Sequence, residues 1–299
     1  MNKIGNQQPF KAFLERPRYA TSQATREGYS YDLGMWMAFL ATRKVKDVLS
    51  ATQDDCEAAV RAWREKKTSD VTIGRRMACM RQAYKFWLYK KLITADPTVC
   101  FAEVKLAPKM KTNKGLSKEQ REHVEASLKY YTFYNHRISL FTLLGFKTGL
   151  RLSEKCRLAW EDINFEKGEL VTIGKGNKKA MIIVSPNMIK AFKEYQALEE
   201  VKKANSKWVF FNQYDYAEHL SKSWAGKFSK EVAKWAGFGK DIHYTDHSLR
   251  HSLCGQLIDS GVSIEVTQDA MRHSNPATTM GYYRLVEDKK RKEMNRVIS

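Results

Sequence analysis

Two histidines and an arginine crowd the string TDHSLRHSL, residues 245–253. With Thr245 or Asp246 as N-cap, the spacing predicts a helix whose first turns carry His247, Arg250 and His251 on one face. Free backbone N–H groups and the helix dipole favour an anion at that end, so two imidazoles and a guanidinium there predict a phosphate site. A metal site is the rival, since His247 and His251 have the spacing of the H-E-x-x-H helix. Here Ser248 stands at the glutamate's place, and a cationic Arg250 beside the pair would repel a divalent ion. A third reading, in which these residues only cap and pack, asks no chemistry of them.

Three further stretches carry groups suited to a phosphate. In TGLRLSE, residues 148–154, Arg151 follows a tight glycine turn, and Glu154 three residues on can lock the guanidinium in orientation. In RHSNPATTMGYY, residues 272–283, a turn at Asn275-Pro276 lets the chain double back, so an aromatic hydroxyl nine residues after His273 can face the site that His273 lines. Tyr282 is that residue, with Tyr283 as its competitor. Apolar runs at Leu170 to Ile173 and Met181 to Val184 flank GKGNKK, residues 174–179, which predicts a β-hairpin whose turn presents Lys175, Lys178 and Lys179. Singly each feature is weak: a tyrosine is usually core, and an Arg-Glu pair at helical spacing is usually surface.

The elements that must position these groups are mostly helical. Tyr29, Leu33, Trp36, Met37 and Leu40 recur at steps of three and four, Ala59, Val60 and Trp63 form a second stripe after Thr52, and Ser69 to Leu92 reads as a third helix. The third carries Arg75, Arg76, Arg81 and Lys85 among its apolar positions, as a solvated face or as contacts to phosphates. Residues 1–20, polar with Pro9 and Pro17, are expected to be a loosely ordered arm. Residues 106–115, LAPKMKTNKG, have no apolar periodicity and predict a linker whose Lys109, Lys111 and Lys114 can lie along a nucleic-acid backbone. Ser117 with Gln120 has the spacing of a capping box and opens the next domain. Ile138 to Phe146 predicts a buried helix ended by Gly149, and the chain from Ser221 on is mainly helical in pattern.

Composition agrees with a polyanionic partner. The 299 residues carry 52 Lys and Arg against 33 Asp and Glu, a net charge of +19. Residues 1–110 hold 20 basic and 11 acidic groups and residues 111–299 hold 32 and 22, so no single tail carries the excess. Two basic folded domains suggest a clamp around a duplex rather than a disordered basic tail. At 43% hydrophobic the chain can bury real cores. Its five cysteines include no C-x-x-C pair, and its longest apolar run is too short for a bilayer, so the expectation is a soluble cytoplasmic protein, nucleoid-associated if prokaryotic, with no membrane partner.

Together and in this order Arg151, Lys175, His247, Arg250, His273 and Tyr282 resemble the active-site signature of the tyrosine recombinases, the phage integrase family. The resemblance implies a mainly α fold with a small β-sheet: a helical, SAM-like core-binding domain over residues 21–105 and a catalytic domain over 116–299. With about twenty residues before the first helical pattern, the expected layout is the simple two-domain one without an extra arm-binding domain. It implies site-specific cleavage and rejoining of double-stranded DNA through a 3′-phosphotyrosine, with no metal and no cofactor. Tyr282 is then the nucleophile, His247 the proton acceptor, Arg151 and Arg250 the phosphate clamp and Lys175 the donor to the leaving oxygen. His273 bonds the scissile phosphate, and Glu154 and His251 support. It further implies a homotetramer exchanging strands through a Holliday junction, with accessory DNA-bending or directionality proteins as possible partners. The family usually has Leu-Gly before the second histidine; this chain has Met271-Arg272, and Arg272 is expected to add a phosphate contact or alter the turn. A type IB topoisomerase-like relaxing enzyme and a non-catalytic DNA-binding protein are the alternatives.

Overall fold

A computed structural model describes residues 8–16, 23–107, 115–173, 179–239, 241–242, 244–272 and 280. The chain divides into two compact units, Met1–Met110 and Lys111–Ser299. Both are mainly helical, and no described helix is long and apolar enough to cross a membrane.

The first unit holds α1 (Gln8–Leu14), α2 (Gln23–Thr42), α3 (Gln53–Glu65) and α4 (Asp70–Tyr89). Its core is built on aromatics, with Trp36, Trp63, Tyr84, Trp87 and Phe101 all buried. Trp36 Nε1 donates to the Tyr84 hydroxyl at 3.0 Å, which donates to the Val48 carbonyl at 2.7 Å, and Trp87 Nε1 donates to the Pro9 carbonyl at 3.1 Å. The expectation of a loosely ordered arm over residues 1–20 is corrected between Gln8 and Leu14, which form a helix. Phe10 and Phe13, three apart and so on one face, are both fully buried, Phe10 edge-on to Trp87 at 5.6 Å. Each such burial is worth about 1.5–3 kcal/mol, which orders a helix too short to hold alone.

Thr52 opens α3 with a full capping box. Its hydroxyl accepts from the Asp55 N–H, and the Asp55 carboxylate accepts from the Thr52 N–H at 2.9 Å while also pairing with Arg43 at 2.5 Å. Thr52→Ala is expected to cost about 1 kcal/mol, visible as a fall of a few degrees in the melting of this unit. An unchanged melt would mean that Asp55 is held by Arg43 alone.

The second unit is organised around α6 (His136–Thr148), which follows α5 (Lys118–Tyr131). Ile138, Leu140, Phe141, Leu144 and Phe146 are all buried, so this helix is apolar on most sides and others pack round it. A three-stranded antiparallel sheet of β1 (Ile163–Asn164), β2 (Glu169–Ile173) and β3 (Lys179–Ile183) follows α7 (Leu152–Cys156). In the β2–β3 register Leu170 faces Ile182 and Val171 faces Met181. The chain continues through α8 (Pro186–Gln196), α9 (Glu199–Ala204), a second hairpin of β4 (Phe211–Asn212) and β5 (Asp215–His219), α10 (Lys222–Trp235), α11 (Asp246–Asp259) and α12 (Ile264–Ala270). None of the elements from α8 to β5 follows from the motifs that single out the site.

Candidate active site

Three short elements meet at one point of the second unit. The first is the end of α6, where Gly149 adopts φ +59°, the left-handed cap. A Cβ there would be strained and would also crowd Leu253 and Met271, at 3.1 and 3.2 Å. The second is the start of α7, with Arg151 as its N-cap. The third is α11, whose N-cap Thr245 accepts from the Ser248 N–H, which places His247, Arg250 and His251 in the first two turns.

Arg250 is buried, and its two Nη groups donate to the carbonyls of Gly149 and Met271. Arg151 is half-buried; its Nη1 donates to Glu154 Oε1 at 2.7 Å and its Nη2 to the Arg272 carbonyl at 2.8 Å. These bonds fix two of the five N–H donors that each guanidinium carries. Glu154 also accepts from the Arg151 backbone N–H at 2.9 Å and from Arg272 Nη2 at 3.1 Å. His247 is exposed, with its ring 4.2 Å from that of half-buried His251.

The charges are tuned by this packing. Burial, then the neighbouring Arg151 and Arg272, push Arg250 down to about 10, which leaves it cationic at neutral pH. Burial works against the Glu154 carboxylate, but the Arg151 N–H, the Arg151 guanidinium and Arg272 together hold it below the usual carboxylate range. Its contribution to stability is therefore present above the unfolded value of about 4.3 and is lost as pH falls through the folded one.

Arg151, His247 and Arg250 line one cavity of ≈ 640 Å³ together with Lys222, Gly226, Ser229 and Lys230 of α10. The α10 residues were not singled out from sequence, although their steps of four, three and one put two lysines and a serine on one helix face. Beneath the site, fully buried Lys155 pairs with Asp246, the first residue of α11, and donates to the Phe141 carbonyl at 2.7 Å.

Lys175, Lys178, His273, Tyr282 and Tyr283, and the linker residues Lys109, Lys111 and Lys114, lie outside the described residues. Lys179 is exposed at the start of β3. In the first unit Lys85 is exposed, Arg81 lies over the Phe101 ring at 5.6 Å, and half-exposed Arg75 pairs with buried Asp32 at 2.8 Å. The expectation that Arg76 meets phosphates is corrected: it is buried, 5.1 Å from the Trp63 ring centre, where a guanidinium stacks on an aromatic face. Arg272, expected to add a phosphate contact or alter the turn, takes φ +50° and turns its guanidinium inward onto Glu154 and the Gly149 carbonyl.

Comparison with known proteins places this arrangement in context. The profile described as the phage integrase family matches residues 114–289, and that of the phage integrase N-terminal SAM-like domain matches residues 8–91. Tyrosine recombinase XerD of Halalkalibacterium halodurans is 28% identical over 290 residues, 96% of this chain and 95% of the relative. Tyrosine recombinase XerC of Neisseria gonorrhoeae is 28% identical over 286 residues, 92% of this chain and 90% of the relative. Among solved structures, the Tn1549 transposon integrase in complex with transposon right end DNA superposes with TM-score 0.69 at 19% identity, covering 96% of this chain and 98% of that one. A lambda integrase dimer bound to a COC′ core site gives 0.67 at 16% identity, covering 91% and 94%.

Proposed function

The chain belongs to the phage integrase family, and from that premise we propose how its residues break and rejoin DNA at a specific site. It is a DNA breaking and rejoining enzyme of the tyrosine recombinase type. The observation that carries the assignment of roles is the convergence of Arg151, Arg250 and His247 on a single cavity.

A phosphodiester is anionic and resists attack. The Arg151 and Arg250 guanidiniums grip the non-bridging oxygens and stabilise the extra charge of the pentavalent transition state. Tyr282 attacks phosphorus, forming the bond to the 3′-phosphate as the bond to the 5′-oxygen breaks. A free phenol has a pKa near 10 and needs a proton acceptor; His247, exposed at the cavity, takes that role. Lys175 protonates the departing 5′-oxygen, and His273 bonds the phosphate. One ester replaces another, so attack by a 5′-hydroxyl reseals the strand without an energy source. The first unit, with α1 included, is the core-binding domain, and four copies on two cytoplasmic duplexes exchange strands through a Holliday junction.

The test is incubation with a duplex nicked just 3′ of the scissile phosphate, so that the short fragment carrying the released 5′-hydroxyl diffuses away after cleavage. A covalent protein–DNA adduct mapping to Tyr282 is expected, with and without a chelator. An adduct at Tyr283 overturns the nucleophile, and no adduct on the cognate site overturns the mechanism. Binding to uncleaved duplex should weaken steeply with salt, by about 10³-fold or more between 50 and 200 mM if six or more phosphates are contacted. A salt-insensitive complex would contradict the part given to the basic residues.

A further inference from the structure

Arg272 stands in a backbone conformation that arginine rarely takes. Its φ is +50°, in the left-handed region that favours glycine, and it directly follows fully buried Met271. Met271 packs with Cys254 and Ile258 of α11 and fixes the turn from below. A side chain at such a position would ordinarily point to solvent, yet the Arg272 side chain is only 13% exposed. Nη2 reaches Glu154 Oε2 at 3.1 Å and the Gly149 carbonyl at 3.3 Å. The backbone of the same residue accepts from Arg151 Nη2 at 2.8 Å.

Arg272 thus touches Arg151 twice, directly through its carbonyl and indirectly through the carboxylate they share. It also shares the Gly149 carbonyl with Arg250. Three guanidiniums around one carboxylate leave a local charge of two positive units, where Arg151, Arg250 and Glu154 alone would leave one. Burial of Arg272 opposes its charge, and Glu154 is the group that compensates it.

We infer that Arg272 is a positioning residue for the reaction: it divides the Glu154 carboxylate with Arg151, sets the turn that receives the Arg151 guanidinium, and strengthens the positive field at the phosphate. The inference rests on the proposal that Arg151 grips the scissile phosphate. It differs from a DNA contact, because the side chain is mostly buried and its Nη2 is taken by Glu154 and the Gly149 carbonyl.

The experiment measures single-turnover adduct formation and duplex affinity for the wild type and for Arg272→Met, Arg272→Lys and Arg272→Gly, on nicked DNA with either a normal or a methylphosphonate scissile linkage. Arg272→Met is expected to slow cleavage about 10- to 100-fold, the size seen when a group that orients a ligand-contacting residue is lost. Its affinity for uncleaved duplex should stay within about twofold, as for a residue away from the DNA surface. On the methylphosphonate, which carries no charge for Arg151 to neutralise, the deficit should shrink. Arg272→Lys should recover part of the rate, since an ammonium can reach Glu154 without the guanidinium fork. Arg272→Gly accepts the backbone conformation, so it should melt no lower than Arg272→Met and still cleave as slowly.

Wild-type rates for Arg272→Met would overturn the inference. So would a loss of affinity as large as the loss of rate, which marks a DNA contact, or an equal deficit on both linkages, which marks a merely structural role. Wild-type protein that forms no adduct on either substrate would instead overturn the underlying reading of the site.

Discussion

Arg250→Ala is expected to lower the rate of adduct formation on a nicked duplex by about 10³-fold, the upper end of what one preorganised donor supplies in a site of this kind. Arg250 is buried, and its two Nη groups are fixed by the carbonyls of Gly149 and Met271. In the proposed mechanism the guanidinium would meet the phosphate already oriented and largely stripped of water, so little reorganisation would be needed as charge develops on the non-bridging oxygens. Arg250→Lys should recover little, because one ammonium cannot span both carbonyls and still present donors to phosphate. The substitution also takes a donor from the Met271 carbonyl, at about 1–3 kcal/mol, and leaves the Gly149 carbonyl with the 3.3 Å bond from Arg272, so rates are to be compared at a temperature where both proteins are folded. Pairing the change with Arg151→Ala should give less than the product of the two effects, since both act on one phosphate. A loss below about tenfold for Arg250→Ala would mean that the transition-state charge is met elsewhere.

How far the site is legible from sequence depends on where each partner lies. Arg151 with Glu154, and His247 with Arg250 and His251, are local: helical spacing puts each set together, and a cap fixes where the helix starts. The glycine turn is likewise readable, since only a left-handed cap explains Gly149 where it stands. What cannot be read is which distant carbonyl an arginine takes. That Arg250 bonds Gly149 and Met271, 101 and 21 residues away, is set by packing of α11 on α6. Charged residue types also mislead. Arg76 sits among apolar positions of α4 and looks like a surface cation, but the ring of Trp63 takes it inside. α1 escapes notice for the opposite reason: its two buried phenylalanines are surrounded by polar residues and prolines, and the face they make is only one turn long. Arg272 combines both difficulties, a charged side chain turned inward by a turn that sequence alone assigns to glycine.

Lys155 is the least legible of the groups that hold the site. Its effect on the second unit is expected to be the largest of any single substitution proposed for stability. It is 0% exposed, its ammonium lies 3.8 Å from the centre of the Phe141 ring, and Asp246 is its counterion. Burial pushes the ammonium pKa down and Asp246 opposes that shift. The ammonium also takes up the space beside Gly145 of α6, where an added Cβ would lie 3.2 Å from it. The pair joins α7, which begins beside Arg151, to the first residue of α11, which carries His247 and Arg250. Removing one partner strands the other charge in a dry interior, so Lys155→Met should cost about 3–5 kcal/mol and lower the melting of this unit by about 6–20 °C. Replacing both, as Lys155→Met with Asp246→Asn, leaves no buried charge and should regain much of the loss. Cleavage should not recover with stability. Without the tie α7 and α11 are free to shift by fractions of an ångström, and misplacement on the scale of 1 Å costs on the order of 10²-fold in rate. A double variant that melts no higher than Lys155→Met would show that the ammonium acts through its contacts to Phe141 rather than through Asp246. A double variant as active as the wild type would show that the two arginine-bearing elements are aligned by apolar packing alone.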